Sequence, residues 1–337
     1  MAAVVTRHQV VETLEKSVSQ LPDAFAFGES LAKDVDRIYF VAHGSGNRAM
    51  LGISYWVEHY SPSIEVRRYF PSEFMAINPP RLDERTLVLL SSKSGTTPET
   101  TAAAEWLQDK PCKVVSFTMK EGSPLAKASP NTFIVGDNSE SLISLFMLMQ
   151  ALVGGVMKGR DGWALGDDLL SSLAALPAVI GETAEASDAR GLELAKEYYQ
   201  DDNIYHVAAG PGFMSAYNFG VCILMEMLWL HSYPIEAAEF FHGPFEILDE
   251  RTPFILIVGE DPSRPLMERV MRFCEKHGRR VMIFDSKDFP MPGIAPSIRP
   301  IVAPHVVQTA LKRFSEHLSD LRGQPLSTRR YMWKSEY

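Results

Sequence analysis

Cysteine is scarce: Cys112, Cys222 and Cys274 are the three in 337 residues, far apart and without C-x-x-C or metal-ligand spacing. That argues against a metal or redox centre built on thiols and predicts reduced core cysteines. Basic charge is also short, with 33 Lys and Arg against 42 Asp and Glu, a formal charge of −9. A nucleic-acid binder normally carries a net basic face. Anionic small substrates remain open, because local donors outweigh a mildly negative total. No long apolar run is present. The richest stretch, Leu142 to Met157, is interrupted by Ser144, Gln150, Gly154 and Gly155. It falls short of the roughly 18 residues of a membrane span and reads as a core helix. The N-terminal MAAVVTRHQVVETLEKS turns polar too soon for a secretory signal, so a cytoplasmic location is expected. What remains is ordinary for a folded chain: 46% hydrophobic and 22% charged residues. The length suits two domains of roughly 150 residues.

The sequence repeats itself. Ile38-Tyr-Phe-Val-Ala-His-Gly-Ser-Gly46 aligns with Ile204-Tyr-His-Val-Ala-Ala-Gly-Pro-Gly212, 166 residues on. Leu87-Val-Leu-Leu90 aligns with Phe254-Ile-Leu-Ile257, 167 residues on. Aliphatic runs that end in Gly, Ser or Pro and lead into helical patterns read as buried parallel strands of α/β units. Further strands are predicted at 113–118, 132–135, 280–284 and 298–302. Helices are predicted at 97–108, 142–156, 191–200, 213–231, 265–277 and 304–321. The expected organisation is a first domain over 1–157, a connecting region over 158–190, a second domain over 191–325 and a tail over 326–337. The tail, Thr328-Arg-Arg-Tyr-Met-Trp-Lys-Ser-Glu-Tyr337, is too aromatic and charged to hang free.

After Leu87-Val-Leu-Leu90 comes Ser91-Ser-Lys-Ser-Gly-Thr-Thr97, then Pro98-Glu99 and a helix. A strand delivering the chain to a helix N-terminus gathers free N–H groups and the positive dipole end at one point. Pro98 suits the first helical turn, Thr97 suits an N-cap and Gly95 permits a tight turn. Ser92, Ser94, Thr96 and Thr97 would ring an anion, with Lys93 adding charge. An ordinary capping loop needs fewer hydroxyls, so phosphate binding is the expectation. The Gly-Lys-Ser/Thr of a nucleotide P-loop is absent, and Gly44-Ser-Gly46 lacks the third glycine of a dinucleotide site.

Glu226 lies within Val221-Cys-Ile-Leu-Met-Glu-Met-Leu-Trp-Leu230. On an α-helix its neighbours would be Cys222, Ile223, Trp229 and Leu230, none of them a charge partner. A carboxylate desolvated in this way is a competent general base. The alternative is a buried Glu paired with Arg or Lys from another element, and the pattern does not decide between them. Sixteen residues on, His242 sits in Glu239-Phe-Phe-His-Gly-Pro-Phe-Glu246, where a loop histidine can carry a proton. No histidine has metal-ligand spacing.

Together these residues resemble the sugar isomerase (SIS) fold: two α/β units, Ser92-Lys-Ser-Gly-Thr-Thr97, and a Glu followed by His-Gly-Pro. The isomerase half of glucosamine-6-phosphate synthase is similar. The resemblance is closest to the fructosamine-6-phosphate deglycases, which share the Glu-Phe-x-His-Gly-Pro-x-Glu-Ile block (239–247) and an Arg-Arg-Tyr…Glu-Tyr ending (329–337). It implies two tandem SIS domains, each a doubly wound, mostly parallel sheet between helices in three αβα layers. It implies Glu226 as base, His242 as acid, and Ser45, Gly46, Ser92, Lys93, Ser94 and Thr97 around the sugar phosphate. Gly46 stands where the synthase has a serine. Lys334, offset from that enzyme's C-terminal lysine, is a further candidate. The family pattern also implies a homodimer, with His242 reaching the neighbouring subunit's site, and no metal or organic cofactor.

The expected activity is release of an amino acid and hexose 6-phosphate from a ketosamine 6-phosphate such as fructoselysine or fructose-aspartate 6-phosphate. Rivals are an aldosamine deglycase acting on glucoselysine 6-phosphate, an amino-sugar-phosphate isomerase or deaminase, and a non-catalytic phosphosugar sensor. Sensors of this fold usually carry a further domain and have no need of a carboxylate on an apolar helix.

Overall fold

The computed structural model describes residues 5–336. The chain divides into two compact units, one of Val10–Pro177 with Pro292–Ile298, the other running up to Gln9, over Ala178–Met291 and from Arg299 onward. Each is α/β, with a parallel sheet flanked by helices.

The Val10–Pro177 unit comprises most of α1 (Arg7–Leu31), then β1 (Arg37–Ala42), α2 (Gly44–Tyr60), β2 (Glu65–Tyr69), α3 (Pro71–Ile77) and β3 (Thr86–Ser91). It continues through α4 (Pro98–Trp106), β4 (Lys113–Thr118), α5 (Pro124–Ala128), β5 (Thr132–Ile134), α6 (Ser141–Asp161) and α7 (Gly166–Ala186), within which the unit boundary falls. Its strand order is β2-β1-β3-β4-β5. β1 and β3 are buried along their whole length, as continuous apolar runs in a parallel sheet should be. Their register sets Ala42 beside Ser91, so both strands end at the same point. The first connection leaves β1 towards one edge and the next returns to β3 on its other side. The gap between β1 and β3 is therefore the topological switch point, where open α/β sheets bind ligands.

Helix α6 runs past the predicted stretch to Asp161, until Gly162 at φ 65° ends it. With α7 it is long and apolar enough to cross a membrane, so length does not decide the matter. Burial argues for the core in α6, where 83% of the apolar window is covered, against 56% in α7. Glycines let α1 lie against α6: a Cβ at Gly155 would strike the Phe25 carbonyl.

The other unit holds α8 (Asp188–Tyr198), β6 (Asn203–Ala208), α9 (Phe213–Tyr217), a π-helix over Asn218–Met225, α10 (Glu226–Leu228) and β7 (His231–Glu236). Then come β8 (Phe254–Val258), α11 (Arg264–His277), β9 (Val281–Asp285) and α12 (Arg299–Arg322). Its order, β7-β6-β8-β9, repeats the first four positions of the other sheet. Two expectations are corrected here. The strand predicted at Ile298–Val302 is the first turn of α12: Pro300 has the fixed φ of a helix start, where its missing N–H costs nothing, and Arg299 pairs with Glu260 at 2.9 Å. The single helix predicted over 213–231 is three pieces ended by Trp229, and His231 opens β7. The cysteines are free thiols; Cys274 is buried, whereas Cys112 and Cys222 are only half-buried.

Candidate active site

At the β1–β3 switch point the loop Ser92–Thr97 bends at Gly95, whose φ is +67° and whose Cβ, were there one, would collide with Ser123. Only glycine fits that turn. The Ser92 and Thr97 hydroxyls bond each other at 2.8 Å, and the Gly95 N–H donates to Ser92 Oγ at 3.1 Å. Ser94 Oγ accepts from the Thr96 N–H at 3.2 Å and its hydroxyl at 2.8 Å. Thr97 occupies the N-cap position of α4, but its side chain makes no cap bond. The expected capping role is therefore corrected: the hydroxyl is spent on Ser92. Among the described residues the N–H groups of Glu99 and Thr100 keep no hydrogen bond. Unspent donors at a helix N-terminus, with the dipole behind them, are the kind of group that binds an anion. Lys93 is exposed at the loop's edge.

Beside this loop, Ser45 lies in the first turn of α2, half-buried, its hydroxyl without a partner among the described residues. Gly46 acts by absence of a side chain. A Cβ there would lie 3.2 Å from Ser91 Oγ and 3.3 Å from Ser91 Cβ, so its glycine sets how closely α2 meets β3.

In the other unit, Glu226 follows eight residues of π-helix. The wider π turn shifts side chains off the i±3 and i±4 positions assumed for an α-helix; such turns recur at functional sites. Gly220 brings this segment close to β6 and β7, since a Cβ would fall 2.7 Å from Ser232 Oγ and 3.3 Å from His206 Nδ1. Of the two settings the sequence left open, the structure shows the paired one. Glu226 keeps 27% of its side chain exposed, and Arg329 Nη2 lies 2.7 Å from Glu226 Oε1. The pattern could not show this partner, because it arrives from the tail.

The tail is anchored to the same segment. Arg329 is 9% exposed, and its Nη1 donates to the carbonyls of Leu326 (3.1 Å) and Thr328 (2.7 Å). Gln324 Nε2 donates to the Met227 carbonyl at 2.7 Å, and Lys334 Nζ to the Arg329 carbonyl at 2.6 Å. Lys334 thus braces the arginine rather than meeting Glu226 directly. Trp229 closes the helix at φ +56°, a conformation that costs a bulky residue on the order of 1–2 kcal/mol, and stays 40% exposed. His242 lies on the exposed turn before Gly243, whose φ is +133°. Its ring has no hydrogen-bond partner among the described residues, and its N–H donates to Glu239 O at 2.9 Å. No group of three or more His, Cys, Asp or Glu that could hold a metal occurs among the described residues.

Comparison with known proteins bears on this geometry. The SIS domain pattern matches residues 31–154. Fructosamine deglycase FrlB of Bacillus subtilis (strain 168) is 35% identical over 307 residues, covering 90% of this chain and 94% of FrlB. The chain belongs to the SIS domain family. Among its other SIS relatives, an agropine synthesis conjugase of Rhizobium rhizogenes is 33% identical, covering 93% of this chain and 90% of the relative. The fructoselysine 6-phosphate deglycase of Escherichia coli (strain K12) is 28% identical, with 97% and 95% coverage. A solved Bacillus subtilis structure described as a phosphosugar isomerase superposes with a TM-score of 0.88 at 33% identity, covering 98% of this SIS chain and all of that one.

Trp229 stood out in the sequence only as a neighbour of Glu226, and Arg329 and Arg330 only as part of a family motif, none of them as a partner at this site. One signal was available: a Glu on an apolar helix demands a counter-ion, and the aromatic tail carries two adjacent arginines.

Proposed function

We propose that the chain is a deglycase of 6-phosphorylated glycated amino acids, built from two tandem SIS domains. The observation that carries this reading is Glu226, a carboxylate paired with Arg329 yet still open to solvent. The loop at the β1–β3 switch point supplies the other requirement, donors for a phosphate. Deglycase relatives that align over nearly the whole chain support it.

In a ketosamine 6-phosphate the amino acid's nitrogen is bonded to C1, beside the C2 carbonyl. Ser92, Ser94 and Thr97 hold the phosphate, supplying binding energy that positions C1 and C2. The carboxylate of Glu226 takes a proton from C1 while the carbonyl oxygen gains one from His242, leaving an enaminol. Reprotonation at C2 gives an iminium at C1. Water adds there, and the carbinolamine expels the amino acid, leaving glucose 6-phosphate. Every proton removed is returned, and the one bond hydrolysed is C1–N. The test is release of hexose 6-phosphate from a panel of fructosyl amino acids with and without the 6-phosphate. Strong preference for the phosphorylated forms is expected. Equal rates with both would overturn the phosphate role.

The exposed ring of His242, without a hydrogen-bond partner among the described residues, supports the further reading that it serves the neighbouring subunit of a homodimer. Mixed dimers of Glu226→Gln and His242→Ala chains then contain one intact site. Equal mixing makes about half the dimers mixed and restores roughly a quarter of wild-type activity, given a closed twofold dimer. No recovery despite proven subunit exchange would contradict it.

A further inference from the structure

Two consecutive tail residues reach two neighbouring places on the base-bearing turn. Arg329 pairs with Glu226, and the Arg330 guanidinium lies over the Trp229 ring, 4.2 Å from its centroid. The two arginines are differently spent. Arg329 is buried, its two terminal nitrogens spent on Glu226 and backbone carbonyls, while its Nε has no partner among the described residues. Arg330 is exposed, and its guanidinium has no hydrogen-bond or ion-pair partner among the described residues. A cation stacked on an aromatic face is oriented without using any N–H, so the donor fork stays available for a carboxylate. Trp229 itself is held in the left-handed region at φ +56°, where helix ends normally place glycine or asparagine. Backbone held this way and left open to solvent is a feature of ligand sites. Exposed Tyr331 follows Arg330 in the chain, and exposed Trp333 has Arg329 5.3 Å below its ring.

We propose that Arg330, laid on Trp229, binds the carboxylate of the amino-acid part of the substrate. The inference rests on the deglycase reading above and deepens it. In an adduct on an α-amino group, three bonds, roughly 4 Å, separate C1 from the carboxyl carbon. Glu226 opens the three-residue α10 and Trp229 caps it, and the adjacent Arg329 and Arg330, about 3.8 Å apart at Cα, reach one each, so a substrate with C1 at Glu226 has Arg330 within reach of its carboxylate. The subsite recognises the planar anion through bidentate N–H donation.

The test uses the 6-phosphorylated fructose adducts of glycine and of glycinamide, which differ only in that charge. The wild-type protein should favour the glycine adduct about 10- to 100-fold in kcat/KM, chiefly through KM, as expected for a charge-assisted pair. In Arg330→Gln that preference should collapse towards one, and Arg330→Lys should restore part of it. Trp229→Leu, which keeps the arginine but removes its platform, should lower the preference as well. An unchanged preference in Arg330→Gln, or no preference in the wild type, overturns the subsite. Cleavage of neither adduct would defeat the deglycase reading alone. Calorimetric binding of the two adducts to wild type and Arg330→Gln then decides the subsite: equal affinities overturn it, and a carboxylate preference lost on substitution supports it.

Discussion

The two sheets share a strand order, yet their switch points are finished in opposite ways. Where β1 and β3 end, the chain places hydroxyls, a left-handed glycine and unspent helix N–H groups. Where β6 and β8 end, Gly259 leads into Glu260 and Asp261. Asp261 Oδ1 accepts from the Ser263 N–H at 2.9 Å and from its hydroxyl, while Glu260 is tied to Arg299. The crevice there is lined by Pro211, Gly212, Pro300, Ala303 and Pro304, so the start of α12 plugs it. One switch point presents hydroxyls and unspent N–H groups; the other satisfies its donors with its own carboxylates. On the reading proposed above, the unit with the plugged switch point does its chemistry elsewhere, on the π-helix that follows α9. Shared topology thus predicts where a ligand can bind, and loop chemistry decides whether it does.

Substitutions in the two units separate these roles. The largest effect falls on the π-helix: Glu226→Gln should lower turnover by about 10²–10⁴ while leaving capture of the phosphorylated substrate nearly intact. Steady-state kinetics beside equilibrium binding separate the two, and near-normal turnover would remove Glu226 from its role.

The second unit should also be the acid-sensitive one. Burial pushes His206 and His305 down to about 3, so both are neutral when folded and gain protons on unfolding once the pH drops below about 6.5. Their share of stability is therefore fully present above pH 6.5 and is lost as pH falls towards 3. The slope approaches about 2.7 kcal/mol per pH unit for two protons. Urea unfolding between pH 7 and 5 checks it, and His206→Gln should halve the slope.

Smaller effects test the two loops against each other. Ser94→Ala should raise KM for the phosphorylated substrate about tenfold, in line with one hydrogen bond to a charged group. Asp261→Asn, at the plugged switch point, should cost about 1 kcal/mol of stability and leave KM unchanged. A rise in KM with Asp261→Asn matching that of Ser94→Ala would erase the contrast between the loops.

Much of this architecture was legible in the chain, for identifiable reasons. Buried parallel strands such as Leu87-Val-Leu-Leu90 and Phe254-Ile-Leu-Ile257 announce themselves as apolar runs, and the pairing of those runs foretold two similar sheets. The loop Ser92–Thr97 was visible because its chemistry is local. Ile298–Val302 misled because β-branched residues favour strands, whereas Pro300 and the pairing of Arg299 with Glu260 settled a helix. Glu226 was found as a residue but not as an environment. Its setting depends on a π turn, which α-helical spacing cannot represent, and on Arg329, which is 103 residues away along the chain. The contact of Arg330 with Trp229 was hidden for the same reason: cation–π contacts between distant segments leave no periodic trace.

Removal of a C1 proton from a ketosamine 6-phosphate by Glu226 is read by NMR of the products from a fructosyl amino acid 6-phosphate carrying two deuterons at C1. That step leaves glucose 6-phosphate with a single deuteron at C1, one free amino acid per sugar, and almost no product with Glu226→Gln. A sugar phosphate that retains both C1 deuterons, or undiminished turnover in Glu226→Gln, would contradict it.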